Sequence, residues 1–386
     1  MPTIPVDGRR RREVAVLVGV RTGRAPRWAA EDSLEELARL AEAAGASPRV
    51  TILQERPAPD ARTLIGAGKV EELRNLCREG VDLVIVDEDL SGSQQRNLER
   101  ELGCKVLDRA GLILDIFAQR AMTREGKLQV ELAQIQYLLP RLTRQWSHLE
   151  RLGGGIGTRG PGETQLESDR RRLRTRMARI RRDLGKVRRH RGLLRRPRRK
   201  IPIPTVALVG YTNAGKSSLL NALTRAGVHV ADELFSTLDP TLRKVHLPSG
   251  RATLLSDTVG FIRKLPPQLV QAFRATLEEV QEADALVHVI DASHPRAGEQ
   301  RAVVERVLEE LGVVGKPVLA VHNKVDRLPE AAAAALAREE GAVAVSALTG
   351  RGLDDLRKAL DALLKATAIG RPGSRPPVLA EERRQG

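Results

Sequence analysis

Aromatic side chains are scarce in this chain: two Trp, two Tyr and four Phe in 386 residues. A nucleic-acid surface built from stacking platforms needs more rings than that, so ring–base stacking is excluded as the main mode of binding. Cysteine is scarcer still. Cys77 and Cys104 alone make neither a disulfide framework nor a metal cluster, and the expectation is a reduced, cytoplasmic protein. Long apolar runs are also missing, and none approaches the ~18 residues a membrane span needs. The opening stretch, MPTIPVDGRRRREVAVLVGV, is basic and then apolar. Its apolar part is short, begins with Glu13 and lacks a clear cleavage site, so it reads as a β-strand and not as a leader.

Net charge is missing from most of the chain. Residues 169–200 hold fifteen Arg and two Lys against only Asp169 and Asp183, which accounts for +15 of the total of +16. A block this dense points to a polyanionic partner. Its Arg dominance favours RNA, because guanidinium grips phosphate in a bidentate manner and stacks on bases. A solvated basic helix or linker is the plainer alternative.

What is present is organised in segments. The length suggests two or three domains. Val14–Val20, Val50–Leu53, Leu83–Val86 and Lys105–Leu107 read as strands. Residues near 32–44, 69–79, 93–102 and 110–120 read as helices. That alternation predicts a small parallel α/β domain over 1–123. Gly66-Ala67-Gly68-Lys69 within it reads as a strand–helix turn, with a phosphate site at the helix N-terminus as the sharper alternative. Leu128, Leu132, Ile135, Leu139 and Leu142 step by four and three, as do Leu173, Met177, Ile180, Leu184 and Val187. These stripes predict an antiparallel, coiled-coil-like helical hairpin over 124–196. Thr164 with Glu167 suggests a capping box at the start of its second arm. The connection, Gly153–Gly162 (GGGIGTRGPG), holds six glycines in ten residues and suits close approach to RNA. Pro197–Pro204 marks the boundary to a third domain over 197–366, and 367–386 reads as a disordered tail.

That third domain carries three motifs for one pocket. Gly210-Tyr211-Thr212-Asn213-Ala214-Gly215-Lys216-Ser217 matches G-x-x-x-x-G-K-[ST], with Ser218 following. The apolar run Val206–Val209 precedes it and a helix opens after it, as a P-loop requires. Its backbone N–H groups cradle phosphates, Lys216 reaches the β- and γ-phosphates, and the Ser217 hydroxyl ligates Mg²⁺. Asp257 ends a second apolar run and suits the same Mg²⁺, directly or through water. Gly260 follows at the spacing that lets its N–H sense the γ-phosphate. Asn323-Lys324-Val325-Asp326 ends a third run. The carboxylate of Asp326 accepts from guanine N1–H and N2–H₂, donors that adenine lacks. Asn323 and Lys324 attend the purine edge and face, and Ser346-Ala347-Leu348 backs the base. The expected fold is therefore a P-loop GTPase domain with a mostly parallel sheet, binding GTP or GDP with Mg²⁺.

Between the first two motifs, residues 235–241 form the candidate switch I. Thr237 is the choice for closing over Mg²⁺ and the γ-phosphate, with Phe235 lining the pocket and Thr241 as the second choice. Catalysis is thereby assigned to Lys216, Thr237 and Gly260. Phe261 stands where Ras-type GTPases place a water-orienting Gln, and Phe cannot hydrogen-bond a water. The chain alone is then slow, or borrows another group or a partner. Asn213 resembles the Asn of GTPases that use K⁺ as a substitute positive charge.

The longer motifs resemble one family. Ile65–Lys69 (IGAGK), Gln95–Leu98 (QRNL), Asp108–Gly126 (DRAGLILDIFAQRAMTREG), Lys127–Gln134 (KLQVELAQ), Pro140-Arg141-Leu142, Gly153–Glu167 (GGGIGTRGPGETQLE) and Asp257–Phe261 (DTVGF) are similar to those of the HflX GTPases. The likeness covers roughly residues 13–366, and an apolar residue after DxxG fits it. The resemblance implies a monomer that binds the large ribosomal subunit and its rRNA. It further implies use of the GTP cycle to separate subunits or rescue stalled ribosomes under stress. The residues alone leave a second class open: an RNA-binding or assembly protein whose affinity GTP merely gates.

Overall fold

The run after Glu13 becomes strand β1 (Val14–Thr22), with Ala15–Val20 buried in sequence. Burial of consecutive residues means that both faces are covered, as in the middle of a parallel sheet. The computed structural model describes residues 12–23, 26–142, 161–195, 203–224, 234–235, 237–239, 241–264, 274–313 and 315–369. They fall into two compact units. One comprises residues 1–200 with 231–239 and 262–276, and the other 201–230, 240–261 and 277–386.

In the first unit β1 is followed by α1 (Arg27–Ala43), β2 (Ser47–Arg56), α2 (Ala67–Arg78), β3 (Leu83–Val86), α3 (Gly92–Leu102), β4 (Lys105–Asp108) and α4 (Arg109–Arg120). The strands form one parallel sheet in the order β2-β1-β3-β4. The α/β alternation read from the sequence is borne out. Strand β2 is longer than the expected Val50–Leu53, because its polar residues alternate with half-buried ones along a sheet edge. Gly66 serves as the N-cap of α2, and its N–H donates to Gln54 Oε1 at 3.0 Å. Lys69 is paired with Glu72 at 2.6 Å. The plain strand–helix turn therefore accounts for this segment.

Helices α5 (Arg124–Leu138) and α6 (Pro161–Arg195) follow. Ile135, Met177, Ile180 and Leu184 are buried together, and Leu128, Leu132, Leu139 and Leu173 pack against them. The two apolar stripes thus meet. Two expectations need correction. The α5 helix stops at Leu138, two residues before Pro140, so Leu142 is not on the helical stripe. Helix α6 begins at Pro161, which puts Thr164 within its first turn and not at the N-cap. Proline suits that first position, where a backbone N–H has no helical partner. Residues 143–160, with most of the Gly-rich connection, lie outside the described residues, as do 370–386.

The second unit runs β5 (Thr205–Gly210), α7 (Lys216–Thr224), β6 (Thr241–His246), β7 (Ala252–Asp257), then α8 (Arg274–Glu282), β8 (Ala285–Asp291), α9 (Ala297–Glu310), β9 (Val318–Asn323), α10 (Glu330–Leu336), β10 (Ala342–Ala344) and α11 (Leu353–Ile369). Its sheet has the order β10-β9-β8-β5-β7-β6, parallel except where β6 meets β7. Val206, Leu208, Leu219, Leu255, Val287, Val289 and Val321 fill its core. Strand β5 is flanked by β8 on one side and β7 on the other. The chain order reverses at β5, so a crevice opens beyond its carboxyl end, which is where such sheets bind ligands.

Candidate nucleotide site and basic face

Four strands deliver the site residues from their carboxyl ends. Gly210 ends β5, Asp257 ends β7, Asp291 ends β8 and Asn323 ends β9. The P-loop, Gly210–Ser217, bridges from β5 into α7. Lys216 is buried, and its Nζ donates to the carbonyls of Gly210 at 3.2 Å and Tyr211 at 2.9 Å. Burial pulls its pKa down to about 8, against the raising effect of Asp257. An ammonium held at such a cost gains sharply from an incoming anion.

Ser217 Oγ donates to Asp257 Oδ2 at 2.6 Å, and both residues are buried. A hydroxyl and a carboxylate at that separation offer two hard oxygen ligands, the donor set that suits Mg²⁺. The DxxG segment lies against the P-loop. Phe261 N–H donates to Gly210 O at 3.1 Å, and Thr212 N–H donates to Phe261 O at 2.7 Å. Gly260 fills the gap so closely that a Cβ there would stand 2.6 Å from Thr212 Cα and 2.9 Å from Lys216 Nζ. Phe261 itself is buried. Its backbone N–H and C=O thus tie the DxxG segment to the P-loop.

Asn323 joins two loops at the end of β9. Its Nδ2 donates to Ala214 O at 2.9 Å, and its Oδ1 accepts from Ala347 N–H at 3.1 Å. One side chain thereby ties the P-loop to the Ser346–Leu348 loop. Gly215, at φ +89°, lets this happen, since a Cβ would meet Asn323 Nδ2 at 2.3 Å. Ser346 Oγ accepts from Thr349 N–H at 3.1 Å and shapes the same loop. Asp326 and Leu348 are exposed, and Asn213 and Ser218 are half-buried. Asn213 takes φ +59°, a conformation Asn tolerates well.

Sequence motifs missed Asp291. Its Oδ2 meets Lys324 Nζ at 2.7 Å, and its Oδ1 accepts from the Ser293 N–H and hydroxyl. Burial works to raise this carboxyl, but the bonds from Lys324 and Ser293 outweigh it and hold it below the usual range. Asp291 thus fixes the Lys324 stem. No spacing rule reveals it, because the β8–β9 register, with Asp291 beside Asn323, brings the two together. Thr237 is half-buried and Phe235 buried, both in the segment that packs in the first unit. Thr241 is the first residue of β6, paired across from Asp257.

Helix α6 carries the Arg block as far as Arg195, and 196–200 lie outside the described residues. Its apolar residues face α5, while Arg171, Arg172, Arg174, Arg179, Arg181, Arg182 and Arg189 are exposed. Arg176 grips Glu131 of α5 with both ends of its guanidinium, at 2.6 and 2.9 Å. Among the described residues of the block, most of the cations are therefore exposed to solvent.

Residues 31–118 match a family described as GTP-binding GTPase N-terminal, 120–198 the GTP-binding GTPase middle region, and 205–324 a 50S ribosome-binding GTPase. The GTPase HflX of Caldanaerobacter subterraneus subsp. tengcongensis is 50% identical over 341 residues, covering 88% of this chain and 79% of that protein. The GTPase HflX of Escherichia coli (strain K12) is 48% identical over 333 residues, covering 85% and 78%. A crystal structure of SsGBP in complex with GDP matches with a TM-score of 0.53 at 28% identity, over 92% of this chain and 99% of the other. With the P-loop, the DxxG segment and the Asn323 motif meeting at the carboxyl ends of these strands, and with half of the sequence identical to GTPase HflX over most of the chain, the chain belongs to the HflX family of GTPases.

Proposed function

We propose that this GTP hydrolase binds the large ribosomal subunit and uses GTP binding and hydrolysis to separate or rescue ribosomes under stress, acting in the cytoplasm. The observation that carries the reading is the Arg face of α6, exposed on a chain that also carries a P-loop GTPase domain. A concentrated cationic face recognises the phosphate backbone of RNA. The likeness of residues 205–324 to a family described as 50S ribosome-binding supports rRNA as that RNA.

Within the site, Asp326 selects guanine, Lys324 and Ala347 flank the base, and the P-loop N–H groups and Lys216 hold the phosphates. Ser217 and Asp257 are the residues that would hold Mg²⁺, with Thr237 joining from switch I. When bound, the ion would neutralise phosphate charge. Gly260 reads the γ-phosphate. Phe261 leaves the attacking water without an orienting side chain, which supports a catalytic site completed on the ribosome. Asn213 is the candidate K⁺ ligand, a role that equal turnover in K⁺ and Na⁺ buffers would remove.

Charge reversal at Arg170, Arg171 and Arg174 tests the RNA face. The triple variant should bind ribosomal subunits more weakly, and its affinity should fall less steeply with salt, by about one unit of log–log slope for each phosphate that the helix no longer neutralises. Unchanged affinity and slope would remove α6 as the RNA footprint.

A further inference from the structure

Asp239 lies two residues beyond the switch I threonine, yet its carboxylate is taken up 116 residues away in the chain. Oδ2 accepts from the backbone N–H groups of Met122 at 2.9 Å and Thr123 at 2.8 Å. Oδ1 accepts from the Thr123 hydroxyl. Thr123 is the N-cap of α5, and its Oγ1 in turn accepts from Gly126 N–H at 2.9 Å. A carboxylate at this point satisfies N–H groups that precede the helical ladder and faces the positive end of the α5 dipole.

The other flank of Thr237 is held as well. The Phe235 ring meets Phe117 of α4 edge-on, with centroids 4.8 Å apart and planes at 82°. Phe235 sits at φ +57°, a conformation a bulky residue keeps only where packing holds it. Leu234, Phe235 and Leu238 are buried, while Thr237 between them remains half-exposed. A chain pinned two residues before and two residues after one threonine leaves that threonine little freedom.

We propose that Asp239 is a positioning residue of the GTP reaction. By docking on the N-terminus of α5 it fixes switch I and sets Thr237 for Mg²⁺ and the γ-phosphate. The inference rests on the reading of Thr237 as the switch threonine.

Gly126 supplies an unusual test. A Cβ there would stand 2.5 Å from Asp239 Oδ1, so Ala displaces the carboxylate while favouring the helix. The experiment compares Asp239→Ala, Gly126→Ala and Thr237→Ala with the unaltered chain. It measures kcat and KM for GTP, binding of fluorescent GDP and of a non-hydrolysable GTP analogue with Mg²⁺, and the melting temperature. Asp239→Ala and Gly126→Ala should each lower kcat about tenfold, the factor that ~1.4 kcal/mol of weaker anchoring gives. Each should also weaken the analogue relative to GDP, and Gly126→Ala should do so without a lower melting temperature. A contact of purely structural value would move the melting temperature and leave the analogue-to-GDP ratio alone. The proposal falls if Thr237→Ala loses the ratio while both other variants keep it. It falls equally if Asp239→Ala raises kcat, since the contact would then restrain switch I. If Thr237→Ala itself keeps the ratio, the reading of Thr237 fails and takes the proposal with it.

Discussion

Replacing Lys216 with Ala weakens guanine-nucleotide binding at least about a hundredfold at pH 7, because a buried, charge-assisted contact to phosphate is worth several kcal/mol. The same change leaves the melting temperature of the nucleotide-free protein unchanged or raises it. In the free protein burial pulls Lys216 from 10.5 down to about 8. Between those two values the unfolded chain keeps a proton there that the folded chain has shed, so stability rises with pH across that window. Below pH 8 the charged, buried amine costs the fold roughly 3 kcal/mol, the equivalent of the shift. Ala removes that cost together with the hold on the phosphates. Calorimetric titration with GDP, paired with thermal unfolding from pH 7 to 10, checks both halves. A variant that binds normally contradicts the phosphate assignment. A variant that melts lower without ligand shows that the carbonyls of Gly210 and Tyr211 depend on the amine for the fold.

Asp326→Asn exchanges the base. Guanine offers N1–H and N2–H₂ as donors, and a carboxylate accepts both. The amide turns one acceptor into a donor that opposes N2–H₂, leaving donors facing each other at the base edge. Affinity for GTP should fall by about two to three orders of magnitude. Xanthine carries an oxygen at C2, which accepts from the new amide, so XTP binding should rise above GTP binding. Competition between the two nucleotides measures the exchange. Retention of GTP preference would place base selection elsewhere. Lys324 would be one alternative, its ammonium paired with Asp291 at 2.7 Å.

Much of this site was legible because its chemistry is local. A P-loop reads as a strand, a glycine turn and a helix in one stretch, and β5, Gly210–Ser217 and α7 fall in that order. The runs ending at Asp257 and Asn323 are short and apolar because their strands lie inside a parallel sheet, so they stood out. Strand β6 (Thr241–His246) did not: TLRKVH is an edge strand with exposed basic residues, and a half-solvated edge leaves little apolar signal. Strand β2 was too short in the sequence reading for the same reason. Asp291 and Asp239 were invisible for another reason. Each acts on a partner that only the fold supplies, Lys324 through strand register and Thr123 through a contact 116 residues apart. Asp108 shows the same limit. It opened a recognisable DRAG motif, but its carboxylate receives the Tyr137 hydroxyl at 2.7 Å and Arg141 at 2.7 Å. It therefore ties the start of α4 to the far end of α5, which no local pattern encodes.

In the proposed function the large ribosomal subunit completes the GTP cycle. Steady-state GTP turnover with and without purified 50S subunits, at one salt concentration, is the measurement that decides it. Turnover should be slow for the protein alone, because Phe261 cannot orient a water, and the subunit should stimulate it at least about tenfold. The same rate with and without 50S subunits, while the protein still co-sediments with them, would contradict it.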